Sequence, residues 1–321
     1  MPPKKKASKK GSENEPDLLE ELTKRFRKAQ KDNEAPRFAE FDKILAKIEE
    51  EGGEIPIWIF HTDLDLLNFR LLSESLVTSG YRNVRSLRFF RLPTSGDEIA
   101  RVLTDLLHHP TCALEELVIS DCNLTSQGCG FLGNSLRVNK SLNSLRLDFN
   151  SFGSSGAALL CDGLASNASL RQLSLAYCDL DASCSRPLNF VLLFVNGRLE
   201  DLSLRGNRLG NLGLVDLLTV GLVKTRKLRS LNVACNGLND VDEELVGKLV
   251  ACMRGNDKLE KYWLTGNQLS DGAVSRLIST VAQQAKHVKF LQIPETCSAG
   301  VFDSLDAALG GPKKAKKKPK K

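Results

Sequence analysis

One phrase, Leu-x-x-Leu-x-Leu-x-x-Asn/Cys-x-Leu, returns every 28 to 31 residues along this chain. It opens at Leu114 (LEELVISDCNL), Leu142 (LNSLRLDFNSF), Leu170 (LRQLSLAYCDL), Leu199 (LEDLSLRGNRL), Leu228 (LRSLNVACNGL) and Leu259 (LEKYWLTGNQL). Weaker copies open at Val84 (VRSLRFFRL) and Val288 (VKFLQIPET). A unit of this length cannot bury its own apolar face, so copies must stack on one another. The chain is therefore expected to form a solenoid rather than a closed globule built around a cleft.

Each copy carries its own secondary-structure signal. In LNSLRL, Leu145 and Leu147 alternate with Ser144 and Arg146, the period of a strand with one buried face. The leucines point into the stack and the intervening residues point out. A helical stretch follows each strand, as in Gly156–Asn167, Gly213–Lys224 and Ala273–Gln284. Within the last, Leu277, Ile278 and Val281 form one apolar stripe. Asp240 or Asp242, and Ser270 or Asp271, have the chemistry of helix N-caps.

The phrase resembles the leucine-rich repeat family over about residues 84 to 296. Its long repeats are similar to the ribonuclease-inhibitor-like subfamily. The resemblance implies an α/β horseshoe with parallel strands on its concave face and helices on its convex face. It also implies that the register residues Cys122, Asn150, Cys178, Asn207, Asn236 and Asn267 satisfy backbone groups of neighbouring turns, a need that buried turns always have.

Outside the repeats the chain changes character. Residues 1–15 cannot bury enough apolar area to fold and are expected to be a disordered basic tail. Residues 16–53 read as two charged amphipathic helices, with Leu18, Leu22 and Phe26 on one face of the first and Phe38, Phe41, Leu45 and Ile48 on one face of the second. Pro16 and Pro36 suit first-turn positions. The sequence leaves open whether these helices pack on the solenoid. The repeat domain is expected over 54–311, with a degenerate opening repeat (GEIPIWIF, then DLDLLNFRLLSESLVTSG) and a last helix at Gly300–Leu309 that covers the far end. Residues 312–321 read as a disordered Lys-rich tail.

Charge separates the tails from the body. The net charge is +6, yet residues 1–10 and 312–321 hold twelve of the 45 basic residues and none of the 39 acids. The other 301 residues therefore carry about −6. The tails, not the repeats, are the expected attraction for polyanions, through Lys4, Lys5, Lys6, Lys313, Lys314, Lys316, Lys317 and Lys318. Three readings of the tails stay open. They resemble a nuclear localisation signal, they suit nucleic-acid or lipid phosphates, and they suit the acidic tails of tubulin. No aromatics interleave with the lysines, so any nucleic-acid contact would not be sequence-specific. Nine scattered cysteines without a CxxC pair fit reduced structural thiols, and no run reaches membrane-spanning length. A soluble, intracellular protein is expected, so the sequons at Asn123, Asn139 and Asn167 carry no weight.

The candidate binding surface is the outward side of the strands. Positions expected to face out include Arg88, Phe90, Val118, Ser120, Arg146, Asp148, Ser174, Ala176, Ser203, Arg205, Asn232, Ala234, Trp263 and Thr265. Arg91, Phe149, Tyr177 and Glu295 stand beside them at strand ends. Arg88, Phe90, Arg91, Arg146, Asp148, Phe149, Tyr177, Arg205, Asn232 and Trp263 form the expected protein-contact set, since aromatic and arginine side chains dominate contact energies. Arg91 also invites comparison with the Ran GTPase-activating proteins, where a loop near the N-terminus meets the GTPase. This chain departs from them in having fewer repeats, extra N-terminal helices and a basic rather than acidic tail.

No catalytic residue, metal site or cofactor is expected. The chain has four histidines (His61, His108, His109, His287) and lacks the HExxH, GxSxG, GxGxxG and Walker patterns. The expected function is a non-catalytic scaffold whose concave face binds a protein and whose tails attach to an acidic polymer such as tubulin. The expected setting is cytoplasmic, in the cytoskeleton or a ciliary axoneme, with some stylistic similarity in its ends to cilium and flagellum proteins. The alternatives are a nuclear adaptor imported through the C-terminal tail and a GTPase activator centred on Arg91.

Overall fold

The computed structural model describes residues 18–51, 55–61, 64–92, 96–194, 198–241 and 243–310. Both lysine tails, Pro16, Asp242 and Gly52–Gly53 lie outside the described residues. Two helices come first, α1 (Leu18–Asp32) and α2 (Ala39–Glu51). Strands and helices then alternate: β1 (Ile57–His61), α3 (Leu66–Ser79), β2 (Ser86–Phe90), α4 (Gly96–His108), β3 (Glu116–Ser120) and α5 (Ser126–Val138). The middle layers are β4 (Ser144–Arg146), α6 (Gly153–Leu164), β5 (Gln172–Ser174), a 3₁₀ turn at Ala182–Cys184 with α7 (Ser185–Phe194), and β6 (Asp201–Ser203) with α8 (Gly210–Thr219) and α9 (Gly221–Lys224). The last are β7 (Ser230–Asn232), α10 (Glu243–Gly255), β8 (Lys261–Trp263), α11 (Asp271–Gln283), β9 (Phe290–Gln292) and α12 (Ala299–Ala308).

The nine strands form one parallel sheet in strict chain order. Sequential order without crossover is what stacking of like units requires. The register pairs Leu117 with Leu145, Leu145 with Leu173, Leu173 with Leu202 and Leu202 with Leu231. Each leucine is at most 2% exposed. The next inward residue of each phrase is likewise buried, so two apolar columns, mostly leucine in the middle layers, run behind the sheet. This is an α/β leucine-rich-repeat solenoid, with the strands on the concave face.

The ladder residues behave as their chemistry dictates. Asn207 Oδ1 accepts the N–H groups of Cys178 and Leu180, each at 3.0 Å, and its Nδ2 donates to the carbonyls of Leu175 and Leu204, each at 2.8 Å. Asn150 does the same for Cys122, Leu124, Ile119 and Leu147, and Asn267 for Asn236, Leu238, Val233 and Leu264. A thiol has one proton: Cys122 donates to Ser120 O at 3.2 Å, and Cys178 lies 3.3 Å from Leu147 O. Burial pushes the Cys178 thiol up to about 12, so it stays neutral and packs as a small apolar group.

A second set of asparagines sits where the chain leaves each helix. Asn139 accepts from Leu142 N and donates to Leu107 O, both at 2.8 Å. Asn167 accepts from Leu170 N and donates to Leu136 O. Asn256 donates to Leu222 O at 2.6 Å. These asparagines are buried, and two of them are the sequons noted above.

The N-terminal helices dock on the first layers. Leu22, Phe26, Phe38 and Phe41 are at most 1% exposed, while Leu18 stays exposed. Phe26 meets Phe41 edge-on at 5.0 Å, Phe41 meets Trp58 at 5.8 Å, and Phe38 lies 6.3 Å from Phe60. Phe60 stacks on Phe89 at 5.3 Å, and Phe69 closes on both. Pro36 stands before α2 rather than in its first turn. Its carbonyl accepts from Gln30 and Asn68, each at 3.0 Å, which holds it in the connection.

Several helix ends differ from their expected places. α6 and α8 each begin three residues early, at Gly153 and Gly210, whose φ of +66° and +58° turn the chain into the helix. Helix α8 breaks at Val220, and Gly221 N donates to Asn189 Oδ1 at 2.9 Å, so the expected stretch 213–224 is two helices. Ser270 caps α11 by accepting from Ala273 N, whereas Asp240 accepts the Ser270 hydroxyl from the preceding turn.

Candidate protein-binding face

Strand pairing sorts the concave side chains into columns. A central column runs Ile59, Arg88, Val118, Arg146, Ser174, Ser203, Asn232, Trp263 and Gln292. One column precedes it, from Ile57 and Ser86 through Glu116, Ser144, Gln172, Asp201, Ser230 and Lys261 to Phe290. A third follows it, containing His61, Phe90, Ser120, Asp148, Ala176 and Arg205.

The third column is more covered than its alternation implies. Asp148 and Ala176 are buried, as are Ala234 and Thr265, and so is Val118 in the centre. These residues, expected to face a partner, are covered by their neighbours. The Asp148 carboxylate accepts from Ser174 Oγ at 2.5 Å, Ala176 N at 2.9 Å and Arg146 Nη2 at 3.3 Å. It ties β4 to β5 beneath Arg146 instead of presenting itself.

Just past the third column, every layer from β2 to β8 places one residue in the left-handed region: Arg91, Asp121, Phe149, Tyr177, Gly206, Cys235 and Gly266, with φ between 50° and 68°. Each turns the chain so that the next residue can enter the ladder. The backbone N–H of Phe149 donates to Ala176 O, and that of Tyr177 donates to Arg205 O. Two layers use glycine here, the residue that adopts this conformation without strain. Two others use aromatics, for which a positive φ is unfavourable. Their rings stack nearly parallel at 4.7 Å and remain 55% and 37% exposed. The Tyr177 ring lies over Gly206, where a Cβ would come within 2.3 Å of it, and its hydroxyl accepts from Arg205 Nε at 3.2 Å.

The expected contact residues fall into two groups. Phe90, Arg91 and Phe149 line one pocket of about 370 Å³ with His61, Ser120 and Asp121. His61 stacks on Phe90 at 5.7 Å, and Arg91 lies 3.6 Å from Asp121. Arg146, Asn232 and Trp263 border a second, more open trough of about 370 Å³, floored by Ser144, Ser174, Ser203 and Ser230. Trp263 is half-buried against Phe290 at 4.9 Å. Arg88 is engaged with Glu116 at 2.7 Å. Burial alone would raise the Glu116 carboxyl, but the Ser86 hydroxyl and Arg88 outweigh it and hold the group below its ordinary range.

Sequence reasoning read Ser144 as outward but left the first column out of the contact set, and it missed the β1 residues Ile57 and Ile59, which are 40% and 44% exposed. Reading the alternation through IPIWIF would have found them, because burying Trp58 and Phe60 turns Ile57 and Ile59 outward. Among the described residues, no group of three or more His, Cys, Asp or Glu side chains is placed to hold a metal ion, and no helix is long and apolar enough to cross a membrane.

A family model for leucine-rich repeats matches residues 138–161 and 225–242. The ribonuclease inhibitor of Mus musculus is 31% identical over 221 residues, covering 68% of this chain and 47% of that one. NACHT, LRR and PYD domains-containing protein 3 of Bos taurus is 34% identical over 202 residues, covering 62% of this chain and 19% of that one. The chain thus spans about half the length of the inhibitor. Among solved structures, the tropomodulin C-terminal domain of Caenorhabditis elegans aligns with a TM-score of 0.38 at 13% identity, over 58% of this chain and 91% of that one. With its repeat phrase, asparagine ladder and nine-stranded parallel sheet, the chain is a leucine-rich-repeat protein of the ribonuclease-inhibitor-like kind.

Proposed function

We propose that this protein is a non-catalytic scaffold that binds a protein partner on its concave face. A leucine-rich-repeat solenoid is a protein-binding architecture, and a relative is named for inhibiting ribonuclease. The observation that carries the reading is the exposed Phe149–Tyr177 stack, held in a conformation that other layers assign to glycine. Strained, exposed aromatics cost stability, and contact with a partner is the return that makes them worth keeping. Arg91, Arg146, Arg205, Asn232 and Trp263 complete the contact set, with Asp148 positioning Arg146 from beneath.

The lysines at 4–6 and 313–318 would add attachment to an acidic polymer, tubulin being the preferred one. The setting that suits both activities is a bridging subunit of the cytoskeleton or a ciliary axoneme. The test is to tag the full chain and a version lacking residues 312–321 and wash cells with detergent. Retention of the full chain on a cytoskeleton or cilium, lost on truncation, supports tail attachment. Nuclear accumulation lost on truncation would replace the cytoskeletal setting with import into the nucleus.

A further inference from the structure

The exposed apolar side chains on the strand side of the N-terminal half, Ile57, Ile59, Phe149 and Tyr177, fall on one track. It begins in a groove of about 350 Å³ between α2 and β1, where Ile44 faces Ile57 and Ile59. His61 borders that groove and the next pocket alike, and its ring stacks on Phe90. Phe149 closes that second pocket and begins the Phe149–Tyr177 stack. The track therefore crosses from β1 to β5, drifting from the central column to the left-handed positions past the strand ends.

Its geometry selects the shape of an occupant. Four strand spacings carry it about 19 Å across the sheet, and three residues of strand rise carry it about 10 Å along the strands. The diagonal is about 21 Å and meets a new strand roughly every 5.4 Å. One turn of α-helix rises 5.4 Å, so a helix of about 14 residues meets every strand in phase. An extended chain presents the same side about every 6.7 Å and falls out of step after one strand.

Basic side chains stand at each end of the track, with Glu295 near Arg205 at the far end. Lys43 and Lys47 border the groove, where Glu40 is the acid among the lining residues, and Arg205 closes the far end on the Tyr177 hydroxyl. In the middle, Arg91 faces Asp121. We propose that this track seats an amphipathic α-helix of a partner protein, about four turns long, apolar on its buried side and acidic at both ends. The proposal rests on the concave-face reading above and narrows it to one half of the sheet and one kind of occupant.

The test is selection of random peptides of about 16 residues on the immobilised full chain, followed by binding titrations with labelled winners. The expected winners carry apolar residues at i, i+4, i+7 and i+11 with Asp or Glu at their ends, and gain helical circular dichroism on binding. Ile59→Asp and Phe149→Asp each weaken them about tenfold or more. Both side chains are exposed, so both variants should still fold to the parent's helical content, with Phe149→Asp relieving the left-handed strain and Ile59→Asp losing some strand propensity, and Phe290→Asp, in the other half of the sheet, leaves binding unchanged. Proline-containing or alternating winners, lysine-flanked winners or no enrichment overturn the proposal. Winners that depend on Trp263 and Arg146 instead overturn it while leaving the concave-face reading intact. Winners indifferent to both sets of residues overturn both.

Discussion

The first layers and the middle of this solenoid solve the same problem with different chemistry. From β3 to β8 each layer closes with an Asn or Cys that satisfies backbone groups of the adjoining turns. At the β2 layer the equivalent register position is Leu92, which has no side-chain hydrogen bond to give. There the stack is held by Phe26, Phe38, Phe41, Trp58, Phe60, Phe69 and Phe89, all at most 1% exposed. A middle layer has like neighbours on both sides, so a fixed polar device can repeat. The first layer has unlike neighbours, and large rings fill that irregular junction because their fit requires no register.

The contrast is sharpest in the cost of removing one side chain. Asn207→Ala orphans two buried N–H groups and the Leu175 carbonyl, while Leu204 O keeps its bond from Asn236, and should lose about 5 kcal/mol in denaturant unfolding. Phe60→Ala should lose about 3–5 kcal/mol by leaving a cavity among the rings. An apolar replacement separates the two regions further. Phe60→Leu should recover most of that loss, whereas Asn207→Leu should recover little, because the orphaned groups remain. Equal recovery at both sites would break the comparison.

Smaller effects are expected where the ladder meets the binding face. Gly206→Ala puts a Cβ into the Tyr177 ring at a φ of +68° and should cost about 2 kcal/mol while displacing the Phe149–Tyr177 stack. Tyrosine fluorescence cannot isolate one ring among three, so nuclear magnetic resonance of labelled Tyr177 is the readout. The smallest effect is the response to acid. Burial opposes ionisation of Glu116 and Asp42, but hydrogen bonds and arginines hold both carboxyls below their ordinary values. The unfolded chain therefore binds more protons, and the stability they contribute at neutral pH disappears as pH falls below about 4. Glu116→Gln should flatten that limb by less than about 1 kcal/mol.

The repeat made most of the fold legible, because a period-two pattern inside a 28-residue period specifies strand, face and stacking together. Chain order and both apolar columns follow from it, and the role of the ladder residues follows from the family resemblance that the repeat carries. The docking of α1 and α2 did not, since their apolar stripe serves a fold neighbour or a partner equally. On the face, Arg146 and Arg205 are exposed as alternation implies, whereas Phe149 and Tyr177 share the parity of the buried leucines and are exposed because the backbone turns left-handed there. Asp148 is not exposed, because Arg146 lies over its carboxylate, and a single-strand pattern carries no information about contacts between neighbouring layers. The left-handed turns were legible only at Gly206 and Gly266. At Phe149 and Tyr177 the same backbone is hidden behind residues that disfavour it.

The most direct test of the central claim is quantitative capture of partner proteins from cell extract by three forms of the chain: the parent, a Phe149→Ala/Tyr177→Ala/Trp263→Ala variant, and a form lacking residues 312–321. The account predicts that the face variant, folded to the parent's helical content, loses the proteins the parent holds at high salt, while the truncated form keeps them. Full capture by the face variant with loss on truncation would place recognition in the tail and contradict the account.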